Sequence, residues 1–429
     1  MQRRRTRATR AGRILVDLGP LRRSPFFRRL WAGQLVSQVG SQLTVVAIPY
    51  QVYRLTRSSF DVGLVSLVQL GPLVVGSLLG GSVADAVDRR RLLLGTQLAL
   101  AVCSAGLALN AAGGRPALWP LFLLPAVSAG FAGMDMPARA AAIVSLVDPE
   151  DLVAANALRQ LIWQVALVAG PAVAGLLIAR IGAAGVYWID VASFGAALAA
   201  VLGLPALRPS GGGTRPGIRS MVEGLRFLRG RQVLQGTLII DLDAMIFGMP
   251  RALFPAIGIN QFHGGATAVG YLYAAPGAGA LLGGLLTGWA PRVRRQGLAV
   301  LVAVILWGLA VAAFGLSPWL PLALGLLAVA GAADVVSAVF RGTILQLETP
   351  DRLGGRLWSI QTAVVTGGPR LGDTEAGMVA ALAGVKASVV SGGLACVAGA
   401  ALIGWLLPGF RRYRPRRDAG RCSSPDGRR

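Results

Sequence analysis

Lysine is all but missing from this chain: Lys386 is the only one in 429 residues. Histidine occurs once, at His263, and cysteine at three positions, Cys103, Cys396 and Cys422. One histidine and scattered cysteines leave no metal-ligand cluster and no nucleophile–base constellation. Cys103 and Cys396 fall inside apolar runs, so no disulfide framework is implied. No GxxxxGK followed by Ser or Thr occurs, so ATP is not the expected fuel on this chain. Charge itself is scarce, at 14% of residues, where a soluble protein carries about a quarter. These absences argue against an enzyme and against any metal or cofactor.

What fills the space is hydrocarbon. Hydrophobic residues make up 54% of the chain, and apolar stretches long enough to cross roughly 30 Å of lipid as helices recur from end to end. They run at about 31–53, 61–84, 92–112, 117–137, 153–179, 185–207, 233–256, 267–290, 297–316, 319–340, 358–381 and 386–407. None shows the period-2 alternation of a barrel strand. The expected fold is an all-α membrane protein with twelve transmembrane helices.

The net charge of +23 would suit nucleic acid, but its distribution explains it better. With the N-terminus inside, 34 basic residues fall on the cytoplasmic side of those spans, Arg139 and Arg341 among them, and five on the other: Arg54, Arg57, Arg115, Arg180 and Lys386. That asymmetry is the positive-inside rule. It predicts a multi-pass protein of the cell membrane with both termini cytoplasmic, no nucleic-acid partner, and basic tails able to touch anionic headgroups. The Arg-rich first thirty residues also look like a transit peptide. The same bias in every later loop favours a cytoplasmic arm, with no cleavable signal before the first span.

The sequence is written twice. "LLGG" at 78–81 returns at 281–284, and at the same offset of 203 Arg89 and Arg91 fall on Arg292 and Arg294. "PEDL" at 149–152 answers "PDRL" at 350–353, Arg139 answers Arg341, and Gly170-Pro171 answers Gly368-Pro369. Matches in order at near-constant spacing mean duplication. The predicted organisation is a basic arm (1–30), a six-helix half (31–207), a cytoplasmic linker (208–232), a second six-helix half (233–407) and a basic tail (408–429). Two six-helix repeats around a central cavity are a transporter layout, with substrate near the midplane between halves that rock. A monomer is expected.

After the second span, "GSVADAVDRRRLLL" (81–94) places a small residue, a helix-end acid and three arginines in a short loop. Gly76, Gly80 and Gly81 permit close helix approach. The pattern resembles the loop motif of the major facilitator superfamily, Gly-x-x-x-Asp-Arg-x-Gly-Arg-Arg/Lys, with Gly81, Asp85, Arg89 and Arg90 matching and Ala86 and Asp88 departing. The resemblance implies a conformational latch, for which Asp135 and Arg139 are candidate partners; a charge cluster that only sets topology is the alternative. "GPAVAG" (170–175) resembles the superfamily's antiporter motif at Gly170, Pro171 and Gly175, with Ala174 in place of a glycine. "VGLVSLVQLGPLVVGSLLGG", "EGLRFLRG" and "YLYAAPGAGALLGGLLTG" are similar to its enterobactin-exporter branch, and macrolide efflux proteins look alike. Fold and branch do not give the substrate.

Charges inside spans cost roughly 2.5–3.5 kcal/mol each on insertion scales, so they mark function by default. "GGPRLGDTEAG" (367–377) holds Arg370, Asp373 and Glu375. Arg370 and Asp373 share a helix face and can pair. Glu375 lies about 200° round from Asp373, towards another helix or a wet cavity. Gly367, Gly368 and Pro369 are positioned to break the helix. The seventh span adds Asp241, Asp243 and Arg251. Buried pairs that merely tie helices are the alternative for Arg370–Asp373, but the acids outnumber the arginines, and a surplus carboxylate can carry a proton: Glu375 is the first candidate, then Asp243, with Asp241 and Asp373 behind them. Gln34, Gln38 and Gln42 recur every four residues in the first span, as a cavity wall or as interhelical hydrogen-bond glue. Asp190 and Asp334 have no role assigned by sequence.

These features predict a proton antiporter exporting a small-molecule substrate, a siderophore or similar bulky metabolite, by alternating access. A multidrug or macrolide efflux pump of the same mechanism is the alternative. A non-transporting receptor or scaffold would need no surplus acids in the membrane.

Overall fold

The computed structural model describes residues 17–208, 226–350 and 353–415. Most of the basic arm, most of the linker, the tail beyond 415, Arg352 and the Asp85 side chain lie outside the described residues. Those described form helices and no strand.

A short helix α1 (Gly19–Arg23) leads into α2 (Pro25–Thr56), started by the Ser24 hydroxyl accepting from Phe27 N at 3.1 Å and by Pro25 in the first turn. Ser58 caps α3 (Ser59–Ala86) in the same way, and Asp88 caps α4 (Arg89–Ala112). Then come α5 (Pro120–Leu146) and α6 (Leu152–Leu202), which folds at Gly182, where φ is 72°. A side chain there would be strained, so the glycine supplies the hinge between two crossings. The second half contains α7 (Gln232–Phe247), α8 (Gly265–Leu285), α9 (Gln296–Gly315), α10 (Leu320–Glu348), α11 (Gly354–Ala383) and α12 (Val385–Leu406). Gly384, at φ 91°, makes the α11–α12 turn.

Nine stretches among the described residues are long and apolar enough to cross a membrane, one of them the bent 149–202 segment. Helices α2 and α11 have spanning lengths of 32 and 30 residues, but glutamines in one and charges in the other lower their hydropathy. The set is compatible with the twelve expected crossings. Two helices run past their expected ends: α5 to Leu146 and α10 to Glu348. Arg139 and Arg341, expected in connections, therefore lie inside helices, and both are buried. Each retains a carboxylate partner on its own helix.

Glycines set the helix spacing. Side chains at Gly76 and Gly80 would collide with the α5 backbone at Gly130 and Met134, and one at Gly331 would overlap Pro276 O of α8. Small residues thus replace the hydrophobic effect as the reason for close packing in lipid.

The first and last described segments, 17–24 and 408–415, lie with the 147–151, 203–207 and 226–232 connections at one end of the bundle, the basic end. The Ser24 hydroxyl donates to Leu146 O at 2.7 Å, and Gly409 N donates to Gln232 at 2.9 Å. At the far end the halves touch. One buried cluster there mixes Val52, Tyr53, Val62 and Tyr187 of the first half with Ala252, Ala256, Ala266 and Val269 of the second.

A cavity at a broken helix between the halves

Helix α7 stops at Phe247, and Gly248-Met249-Pro250 turns the chain into a tight turn at Arg251–Leu253. Proline brings no N–H and glycine no side chain, so the break is chemically natural. It frees backbone groups, and three of them find side-chain partners on neighbouring helices. Trp307 Nε1 of α9 donates to Gly248 O at 2.8 Å, and the Tyr273 hydroxyl of α8 donates to Arg251 O at 3.0 Å. Ala252 N donates to Asp373 Oδ1 of α11 at 3.1 Å. Irregular backbone is tolerated at this depth when protein satisfies it in this way.

The expected break at Gly367, Gly368 and Pro369 does not occur, and α11 is continuous through Pro369. Those glycines serve contact instead: side chains at Gly368 and Gly372 would run into Met245 and Ile246 of α7. The Arg370 guanidinium folds back to donate to Thr366 O at 2.7 Å, on the turn that Pro369 disturbs.

Beside the break lies a cavity of about 110 Å³, lined from the first half by Gln42, Leu167 and Pro171 and from the second by Arg251, Phe254, Tyr273, Trp307 and Asp334 among others. Gln42 is admitted by the antiporter-like motif, because a side chain at Gly170 would overlap its Cβ. Gly175 meets Ala266 O and Gly270 of α8 across the halves. Gln34 and Gln38 are half-buried on the same helix and do not line this cavity.

The far-end seal is built on backbone. A side chain at Gly63 would overlap Asp373 O, and one at Gly377 would press on Ser59 O at 2.6 Å. The Ser66 hydroxyl donates to Asp373 Oδ2 at 2.8 Å, and Thr374 donates to Gly63 O at 3.2 Å. Asp373 is thus held by Ser66 and Ala252 N. Among the described residues no ion pair within 4 Å joins it to Arg370, although both Arg251 and Arg370 act on it electrostatically.

The other intramembrane acids separate. Asp241, wholly buried, sits 3.0 Å from the Arg341 guanidinium and accepts from Gln361. Arg341 also reaches Asp334 at 3.4 Å and donates to Ser337 at 3.0 Å. Two carboxylates therefore share one arginine, and one of them, Asp334, faces the cavity. Asp243 points the other way, against Gly399 of α12, with Oδ2 buried and without a hydrogen-bond partner. Glu375 has no partner among the described residues and shares its face with the exposed Leu371, Met378 and Leu382. Asp190 is held by hydroxyls alone: Thr44 at 2.9 Å, Ser104 at 2.5 Å and Ser193 at 3.3 Å.

The latch candidates lie within the first half. Arg89 donates to Ser145 at 2.8 Å and Arg90 to Leu202 O at 2.7 Å, so the loop is tied to the ends of α5 and α6. Asp135 and Arg139 pair with each other, and Asp135 also accepts from Thr96 at 2.8 Å and Gln97 at 2.9 Å. Among the described residues no ion pair links them to Arg89 or Arg90. Sequence reasoning missed the break and the Asp241–Arg341–Asp334 cluster. The Gly-x-Pro inside the seventh apolar run was the available signal for the first. For the second, Asp241 occupies, at the repeat offset of 203, the position of Gln38.

Two helical halves sealed at one end over a shared cavity with a broken helix define a membrane transporter of the major facilitator superfamily. The chain belongs to the family described as transmembrane secretion effector, whose model matches residues 16–412. Curated relatives include the enterobactin exporter EntS of Shigella boydii and of Escherichia coli, 31% identical over 400 residues, covering 93% of this chain and 96% of the relative. Among solved structures, a bacterial homolog of the human lysosomal transporter Spinster, inward-facing and unoccupied, superposes with a TM-score of 0.71 at 15% identity, covering 91% of this chain and 98% of its own. The nucleoside transporter NupG gives 0.72 at 12% identity, covering 91% and 100%. Those two share the fold alone. The family and the exporters related in sequence place the chain among exporters of the superfamily.

Proposed function

We propose that this protein is a proton-coupled antiporter that exports a siderophore or similarly bulky metabolite from the cell by alternating access. The observation that carries the reading is the cavity at the α7 break, walled by both halves and covered at the far end by the α3–α11 and α6–α8 seams. Relatives named as enterobactin exporters support the cargo class. The volume takes one ring-sized arm of a larger substrate. Comparing culture medium from a deletion strain with wild type, with and without iron, tests this. A siderophore missing outside and accumulating inside is the expected result; an unchanged siderophore with drug accumulation would favour the efflux-pump reading.

In this reading the basic end is cytoplasmic, as the excess of arginine there requires. Reporter fusions at residues 212 and 425 are expected to report cytoplasm, and an external signal at either would reverse the direction assigned to the cavity. The coupling proton is assigned to Asp334. Its arginine also neutralises Asp241, so the pair of acids carries one more negative charge than Arg341 can balance. A proton supplies the difference when the cavity is dry.

A further inference from the structure

Each acid near the cavity has a hydrogen-bond partner, and the side chain of the nearest cation has none among the described residues. Asp334 is bonded to Arg341 at 3.4 Å, and Asp373 accepts from Ser66 and Ala252 N. The Arg251 side chain makes no hydrogen bond and no ion pair within 4 Å among the described residues, and its Nε is buried and unsatisfied. It feels Asp373 and Asp334 only at longer range. A guanidinium held in a partly dry wall without a partner is costly, and its planar fork of donors matches an oxyanion. The rest of the wall suits a flat apolar body. Phe254 and Tyr273 meet edge to face at 5.0 Å, and Trp307 is fixed beside them by its bond to Gly248 O. The volume of about 110 Å³ is of the order of an engineered cavity that holds benzene, about 150 Å³.

We propose that Arg251 is the specificity-determining residue of the cavity, binding an oxyanion carried on an aromatic arm of the substrate. The break in α7 serves this purpose: it puts the arginine at the seam and lets its backbone carbonyl be fixed by Tyr273, so the side chain is aimed before substrate arrives. An aromatic arm lies among Phe254, Tyr273 and Trp307 while its carboxylate, or an equivalent oxyanion, takes paired bonds from the fork. The inference rests on reading this cavity as the substrate site.

The test uses full-length protein in lipid nanodiscs and two probes of one shape, 2-hydroxybenzoate and its neutral amide, measured by equilibrium dialysis. Wild type is expected to bind the carboxylate at least about tenfold more tightly than the amide. Arg251→Gln should bring the ratio to about one with amide affinity unchanged, because only the charge-reading contact is lost. Arg251→Lys should fall between, since an ammonium keeps the charge but not the fork. A ratio near one in wild type, no binding of either probe by wild type, or an undiminished ratio in Arg251→Gln would overturn the proposal. Should the glutamine variant fail to fold, the lysine variant decides: a ratio equal to wild type rejects the role. Export itself is scored separately in the medium of the deletion strain, so the two readings fail independently.

Discussion

Gly63→Val is expected to stop export while leaving the protein folded and inserted. At Gly63 any Cβ would strike the Asp373 carbonyl of α11, and backbone cannot step aside as the end of a side chain can. The substitution therefore penalises the arrangement with the far end shut and leaves α3 free to pack when that seam is open. Overpacking costs about 1–3 kcal/mol, and a penalty of that size on one of two states shifts their ratio by roughly 5- to 150-fold. Gly175→Val, at the α6–α8 seam against Gly270, should behave alike. Spin labels at Leu55→Cys and Leu382→Cys, both exposed at the far end, report the seam directly. A longer label distance with transport lost is the expected pairing. Wild-type export with an unchanged distance would remove the seam from the transport cycle.

Arg341→Leu should have the opposite profile, removing the protein itself. Asp241 is wholly buried against that guanidinium, and taking away one partner of a buried pair costs about 3–5 kcal/mol. Against a total stability of about 5–15 kcal/mol, recovery of folded protein from membranes should fall about tenfold or more. Adding Asp241→Asn should restore part of it, because the stranded charge is then gone. Asp334→Asn keeps the Arg341–Asp241 pair and should fold normally, yet lose gradient-driven export while retaining downhill exchange in proteoliposomes. Wild-type proton-driven export by Asp334→Asn would move the coupling role elsewhere, and amide variants of Asp243, Asp373 and Glu375 would then be compared on the same assay.

The membrane architecture could be read from the sequence because burial in lipid is a property of composition along the chain, and composition needs no partner. The limits appear where a residue's role depends on what faces it. The angle between Asp373 and Glu375 follows from helix geometry, but the neighbours do not. Asp373 meets Ser66 and the freed Ala252 N–H, whereas Glu375 falls in line with Leu371, Met378 and Leu382. Arg370 and Asp373 do share a turn, yet better-placed donors reach the carboxylate first. The two Gly–Pro signals illustrate the same limit. Gly367-Gly368-Pro369 stays helical because its glycines are pressed against α7, while Gly248-Met249-Pro250 breaks because Trp307, Tyr273 and Asp373 wait to satisfy the backbone it releases. Local sequence was equally permissive at both sites, and tertiary hydrogen bonding chose between them.

The far-end seal has a consequence for how such a protein can change over generations. It closes glycine against peptide backbone at Gly63, Gly175, Gly270 and Gly377, none of which lines the cavity. Substitutions at Phe254 or Gln42 alter what the cavity prefers without touching the glycines that shut. Cargo can therefore drift by single steps while the moving parts stay inherited intact.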